Sequence, residues 1–275
     1  MQNNSRKKYI GIFDSGFGGL AILREIVKKL PVYDYIYLGD TARTPYGSRS
    51  EEVTYKFTEQ AVDFLFKKDC ELIILACNTA SSEALRKIQQ EYLPKKYLGR
   101  RVLGVIIPAA EEASEKTVNN RIAVIATNGT IKSHTFEREL KKINSKIQVF
   151  QIAASLLVPL VEAGEHNSEA ADLILKNYLT PLIKKNIDTL ILGCTHYGIL
   201  EKQIKNIIGG KIRIISEGKV VAEKLKDYFE RHPEIETKIA KNSKAIFYTT
   251  DLTDGFSILG SKFFGKKIKA EKINL

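Results

Sequence analysis

Two cysteines in matched settings are the side chains of this sequence best placed to do chemistry. Leu75-Ala76-Cys77-Asn78-Thr79 lines up with Leu192-Gly193-Cys194-Thr195-His196, and in each stretch an acidic residue and an aliphatic run come first. A thiol can return a proton and a thiolate can take one, so two such residues suit acid–base exchange from two sides of one centre. A free cysteine alone is more often a small buried hydrophobe. Two of them, each followed by hydroxyl, amide or imidazole groups, favour chemistry over packing. Cys70 has no such context, between Lys67-Lys68-Asp69 and the aliphatic run, and reads as a packing residue.

The elements around the cysteines explain how they would be positioned. A short apolar run ending in turn-type residues before a helical pattern reads as a buried parallel strand feeding a helix. Each cysteine then sits at the carboxyl end of its strand, where open α/β sheets bind ligands. Residues 9–13, 35–38, 102–106, 122–126, 147–150, 212–215 and 245–248 read as further strands. Helical patterns lie between them, with Leu20, Leu23, Val27 and Leu30 on one face, and Val53, Phe57, Ala61, Phe64 and Leu65 on the next. Later apolar faces are Leu85, Ile88 and Tyr92, then Leu200, Ile204 and Ile207, and finally Val221, Leu225 and Phe229; residues 168–185 are also helical in pattern. The alternation predicts an α/β protein with mainly parallel sheets covered on both faces. IGIFDSG echoes IAVIATN at a spacing of 112 residues, close to the 117 that separate Cys77 and Cys194. Both spacings point to duplication of one α/β unit and a reaction centre with approximate two-fold symmetry.

Asp14 ends the first strand and opens the glycine-rich turn Ser15-Gly16-Phe17-Gly18-Gly19, which fits neither the P-loop nor the dinucleotide spacing. A strand-end acid either caps a helix or orients a catalytic group. The irregular loop 39–50 contains Tyr46-Gly47-Ser48, which either presents a hydroxyl and backbone amides to a carboxylate or makes a plain turn.

Composition narrows the class. The chain has 275 residues, 44% of them hydrophobic, and no apolar run of membrane-spanning length. Its amino terminus does not resemble a secretory signal, and three cysteines do not make a disulfide framework, which agrees with a reducing cytoplasm. The net charge of +11 and the small arm Arg6-Lys7-Lys8 leave nucleic acid as a secondary reading. Most lysines fall in pairs on helix faces, and no zinc-finger or RNP-like motif accompanies them. Cys194 and His196 alone do not make a metal cluster, and no lysine stands in a pyridoxal-type setting. No metal and no cofactor are therefore expected.

The ordered segments FDSGFGGL, GDTARTPYGS, ACNTAS, ATNGTI, VPLVEAG and LGCTHYG, from about residue 10 to 200, resemble the glutamate racemases of the aspartate/glutamate racemase superfamily. The resemblance implies two similar, pseudo-two-fold related α/β domains with the active site in the cleft between them. Residues 1–101 with 217–275 would form the first, and 102–216 the second. It implies cofactor-independent interconversion of L- and D-glutamate that supplies cell-wall peptidoglycan, carried out in the cytoplasm by a homodimer. Cys77 would take the proton from D-glutamate and Cys194 from the L-enantiomer. Asp14 would assist Cys77, His196 would assist Cys194, and Glu162 would tune the Cys194 side. Asp14, Ser15, Pro45, Tyr46, Gly47, Ser48, Asn78, Thr79, Thr127, Thr130, Thr195 and His196 would contact the substrate. Departures from the family pattern are Ile107-Pro108, Gly198, and Ser216-Glu217-Gly218 in place of an aspartate/serine-serine-glycine segment. Competing readings are a racemase of another acidic amino acid such as aspartate, a decarboxylase or isomerase on the same scaffold, a cysteine hydrolase using Cys194 and His196, and a non-catalytic binding protein.

Overall fold

A computed structural model describes residues 8–275. Arg6 and Lys7 of the basic arm lie outside the described residues. Lys8 does not reach outward: its Nζ lies 2.6 Å from Glu71 Oε2, and Lys238 holds the other oxygen at 2.8 Å. No helix among the described residues is long and apolar enough to cross a membrane.

Among the described residues ten strands form two sheets, both parallel. The first contains β1 (Tyr9–Asp14), β2 (Tyr35–Gly39), β3 (Cys70–Leu75), β4 (Arg101–Gly104), β9 (Ala245–Thr249) and β10 (Ala270–Lys272), ordered β10-β9-β2-β1-β3-β4. The second contains β5 (Arg121–Ala126), β6 (Gln148–Ala153), β7 (Thr189–Gly193) and β8 (Arg213–Ile215), ordered β6-β5-β7-β8. The four strands β2-β1-β3-β4 thus repeat as β6-β5-β7-β8. Register repeats as well: Phe13 pairs with Leu75 across β1 and β3, and Ile125 with Leu192 across β5 and β7. The duplication read from the two spacings is present in the hydrogen bonding. One apolar cluster runs through both halves, with Ile12, Leu23 and Ile74 from one and Ala123, Leu190 and Leu200 from the other.

Several expectations need correction. The strand expected at 102–106 ends at Gly104, and Ile106–Lys116 is a helix. Its buried face is Ile106, Ala109, Ala110 and Ala113, a helical spacing made of small side chains that give a weak apolar signal. β4 pairs with β3, so residues 102–104 hydrogen-bond into the first sheet although the resemblance placed them in the second half. The helix Glu51–Lys67 buries Thr54, Thr58, Ala61, Val62, Leu65 and Phe66, a face rotated from the expected one. Thr58 can be buried because its Oγ1 donates to the Thr54 carbonyl at 2.7 Å. Phe57 instead lies half-buried under the Arg43 guanidinium, 4.1 Å from its ring centre, and so props the 39–50 loop. Helices Thr135–Ile143 and Asp254–Phe264 and the short β10 were not anticipated.

Candidate active site

The carboxyl ends of β1 and β3 in the first sheet face those of β5 and β7 in the second, and the strand-end residues meet there. Cys77 follows β3 as the residue before the helix Asn78–Glu83, with extended backbone. Cys194 follows β7 and precedes the short 3-10 turn Tyr197–Leu200 and the helix Glu201–Ile208. Both cysteines are more than nine-tenths buried, and each raises the energy of a charge on the other. The corresponding ends of β1 and β5 carry Asp14 and Thr127.

On the Cys77 side the thiol donates to Ser15 Oγ at 3.4 Å. Asp14 is completely buried, accepts from the Gly16 N–H at 3.0 Å, and accepts from Thr195 Oγ1 of the other half at 3.4 Å. Burial pushes the Asp14 carboxyl upward, against the opposing pull of His196 and of backbone N–H groups. On the Cys194 side His196 places Nδ1 3.8 Å from the sulfur and Nε2 3.1 Å from Glu162 Oε1. Donation from Nε2–H to the Glu162 carboxylate leaves Nδ1 with its lone pair toward Cys194 and Thr195. Phe17 and Phe263 pack edgewise on the imidazole, with ring centres 5.5 and 5.8 Å away.

The surroundings of the two cysteines favour thiol over thiolate. Burial pushes Cys77 up to about 11, with the Asp14 charge adding to the rise and Ser15 and the Ala80 N–H opposing it. Cys194 is pushed well up, again chiefly by burial. Loss of hydration outweighs the single helix turn that follows each cysteine. In the unliganded cleft both are therefore thiols, and a thiolate formed there is a strong base.

The hydroxyl-bearing residues form a second cluster across the cleft. Thr79 Oγ1 lies 2.9 Å from Thr127 Oγ1, which lies 3.1 Å from Thr130 Oγ1. Two glycines permit the close approach. A Cβ on Gly47 would lie 2.5 Å from the Thr127 Cβ, and one on Gly18 would overlap Thr195 Oγ1. Tyr46 departs from expectation: its hydroxyl donates to Asp40, which also accepts from Arg43 and Thr250, so it is not free for a ligand. Pro45 and Ser48 are exposed at the rim.

One acidic residue was missed. Glu217 begins the helix Glu217–Arg231 at the carboxyl end of β8, is buried, and accepts from Asn78 Nδ2 at 2.8 Å. The strand-end rule that found Asp14 applies equally to IRII-Ser216-Glu217. Among the described residues no group of three or more His, Cys, Asp or Glu side chains could hold a metal ion.

Comparison with known proteins places this arrangement. A family model described as Asp/Glu/Hydantoin racemase matches residues 10–225. The chain is 41% identical over 277 aligned positions to a glutamate racemase of Enterococcus faecalis, covering 98% of this chain and 97% of the relative. A glutamate racemase isoform of Bacillus anthracis superposes with a TM-score of 0.89 at 34% identity, covering 98% of each chain. The Francisella tularensis glutamate racemase, solved in complex with D-glutamate, gives 0.87 at 32% identity, again covering 98% of each chain.

Proposed function

The chain belongs to the Asp/Glu/Hydantoin racemase family, and from that premise we propose that it interconverts L- and D-glutamate by proton transfer between Cys77, Cys194 and the α-carbon. The observation that carries the reading is the pair of buried thiols at equivalent strand ends of two duplicated sheets, each with a different polar partner. Inversion needs a base on one face of the α-carbon and an acid on the other, which one residue cannot easily supply. With D-glutamate, Cys77 as thiolate takes the α-proton and the Cys194 thiol returns one to the opposite face. The reverse direction exchanges the roles, and atoms and charge balance without an oxidant or reductant.

His196 Nδ1, held by Glu162, is positioned to accept the Cys194 proton and create its thiolate. Asp14 takes the corresponding place for Cys77, while the Ser15 hydroxyl accepts a hydrogen bond from its thiol. Asn78, Thr79, Thr127, Thr130 and Thr195, with the backbone of Gly47, hold the carboxylates and stabilise charge developing next to the α-carbon. By resemblance, the proposal extends to a homodimer that works in the cytoplasm and supplies D-glutamate for peptidoglycan. The aspartate alternative is not favoured, since the relatives that match along the whole chain are named for glutamate.

The test uses purified protein without added cofactor, with L-glutamate and L-aspartate in parallel. Loss of optical activity with glutamate, and a fall of about a thousandfold or more in Cys77→Ala and in Cys194→Ala, is expected. Turnover of aspartate instead would keep the chemistry and change the substrate. Undiminished activity in either variant would overturn the two-thiol mechanism.

A further inference from the structure

The Asn78–Glu217 pair is chemically incomplete. Asn78 directly follows Cys77, and Glu217 lies 139 residues further along the chain, yet their buried side chains meet. Glu217 Oε2 accepts from Asn78 Nδ2, while Glu217 Oε1 and Asn78 Oδ1 are buried with no partner. Glu217 shares with Cys194 and Thr195 the lining of a cavity of about 440 Å³. Two orphaned polar atoms in a buried pair are expensive unless something completes them. Among the described residues no salt bridge to Glu217 is found, and the charges that act on or feel it, Asp14 and Cys194, would both be anionic if ionised. Arg24, Glu25, Glu112, Glu201, Lys219 and Lys262 line the same cavity.

We propose that Glu217 is a further substrate-binding residue, a carboxyl kept in its neutral acid form that braces Asn78 through one oxygen and donates from the other to a carboxylate of the bound amino acid. This rests on the glutamate reading above. With Oε2 accepting from Asn78, the proton belongs on Oε1, the atom that now lacks a partner. The pair then presents an O–H donor for a carboxylate and the Asn78 Oδ1 acceptor for an ammonium, the two groups every α-amino acid carries. Burial pushes the Glu217 carboxyl up to about 8, with Asn78 opposing and Asp14 adding to the rise. An ionised Glu217 would instead repel both carboxylates of glutamate.

The test compares wild type, Glu217→Gln and Glu217→Ala from neutral pH to about pH 9.5, since the ionisation lies inside that window. Both kinetic constants and the calorimetric dissociation constant of D-glutamate are measured, with thermal melting as the check on folding. Below about pH 8 the wild-type group is neutral; above it, KM and Kd should rise about tenfold per pH unit while kcat does not fall with them. Glu217→Gln, which keeps a neutral donor and the Asn78 contact, should bind within about threefold of wild type at neutral pH and lose the alkaline rise. Glu217→Ala should bind about tenfold or more weakly throughout. A Gln variant that retains the alkaline rise, or one as impaired as Ala at neutral pH, would overturn the proposal. The second result would mean that an ionised carboxylate grips the ammonium. Wild type that binds glutamate but does not racemise it would overturn the racemase reading, leaving Glu217 to be judged on the dissociation constants. Wild type that binds no glutamate would overturn both.

Discussion

His196 illustrates how the site divides its work among single residues. Glu162 takes one ring nitrogen at 3.1 Å, which fixes the other as the acceptor facing Cys194. Glu162→Gln should lower kcat about tenfold in both directions, because in the proposed mechanism Cys194 serves as base in one and acid in the other. Steady-state rates from each enantiomer check this, and an unchanged kcat would reduce Glu162 to a surface carboxylate. The thiols give a second prediction. A cysteine raised to about 11 by burial stays protonated at neutral pH, and its thiolate fraction climbs as pH rises toward that value. Ultraviolet titration of the unliganded protein, against Cys77→Ser as reference, should therefore show no Cys77 thiolate step below about pH 9. A step near neutrality would contradict the burial argument. Residue types made Cys77, Cys194, Asp14 and His196 legible from the sequence as candidates, since each lies at the carboxyl end of a strand or within three residues beyond it. They did not reveal that Tyr46 gives its hydroxyl to Asp40, because that contact depends on how the 39–50 loop folds.

Elements decide how closely the two halves can meet. The 3-10 turn Tyr46–Ser48 and the helix Asn78–Glu83 both pack on the short helix Asn128–Lys132, and that contact is made through Gly47 and the threonine cluster. Gly47→Ala puts a methyl group into Thr127 and should hold the halves apart. A displacement of about 1 Å at a reacting centre can cost about a hundredfold, so kcat/KM should fall by roughly 10- to 100-fold. Circular dichroism should remain that of the wild type; an active Gly47→Ala enzyme would show that the contact is not needed for closure. Strand positions were readable because buried parallel strands are short, wholly apolar runs. Helix faces were less so. Glu51–Lys67 buries two threonines and leaves Phe57 to support a loop, so its largest apolar residues do not mark the core. The helix Ile106–Lys116 buries alanines, whose small side chains left it unrecognised.

At the scale of the molecule, one duplicated unit carries both cysteines of the proposed reaction. The repeat β2-β1-β3-β4 and β6-β5-β7-β8 sets Cys77 and Cys194 at equivalent strand ends, and two sequence spacings were enough to reveal it. The resemblance grouped residues 217–275 with the first half, but it could not show that Glu217 meets Asn78, because no local pattern encodes a contact 139 residues apart. A ligand held between the halves should stabilise both together. D-glutamate at a hundredfold excess over its Kd should add about 2.7 kcal/mol to unfolding, read as a rise in Tm. No rise under saturating ligand would argue against a site in the cleft. The most direct test of two-sided proton transfer is the fate of hydrogen in D2O. Each enantiomer is converted to a few per cent by wild type, and α-deuterium is measured separately in product and recovered substrate. Two bases predict deuterium in the product from the first turnovers and almost none in the recovered substrate. Product that keeps the substrate's own hydrogen would show a single base working both faces, and would contradict the account.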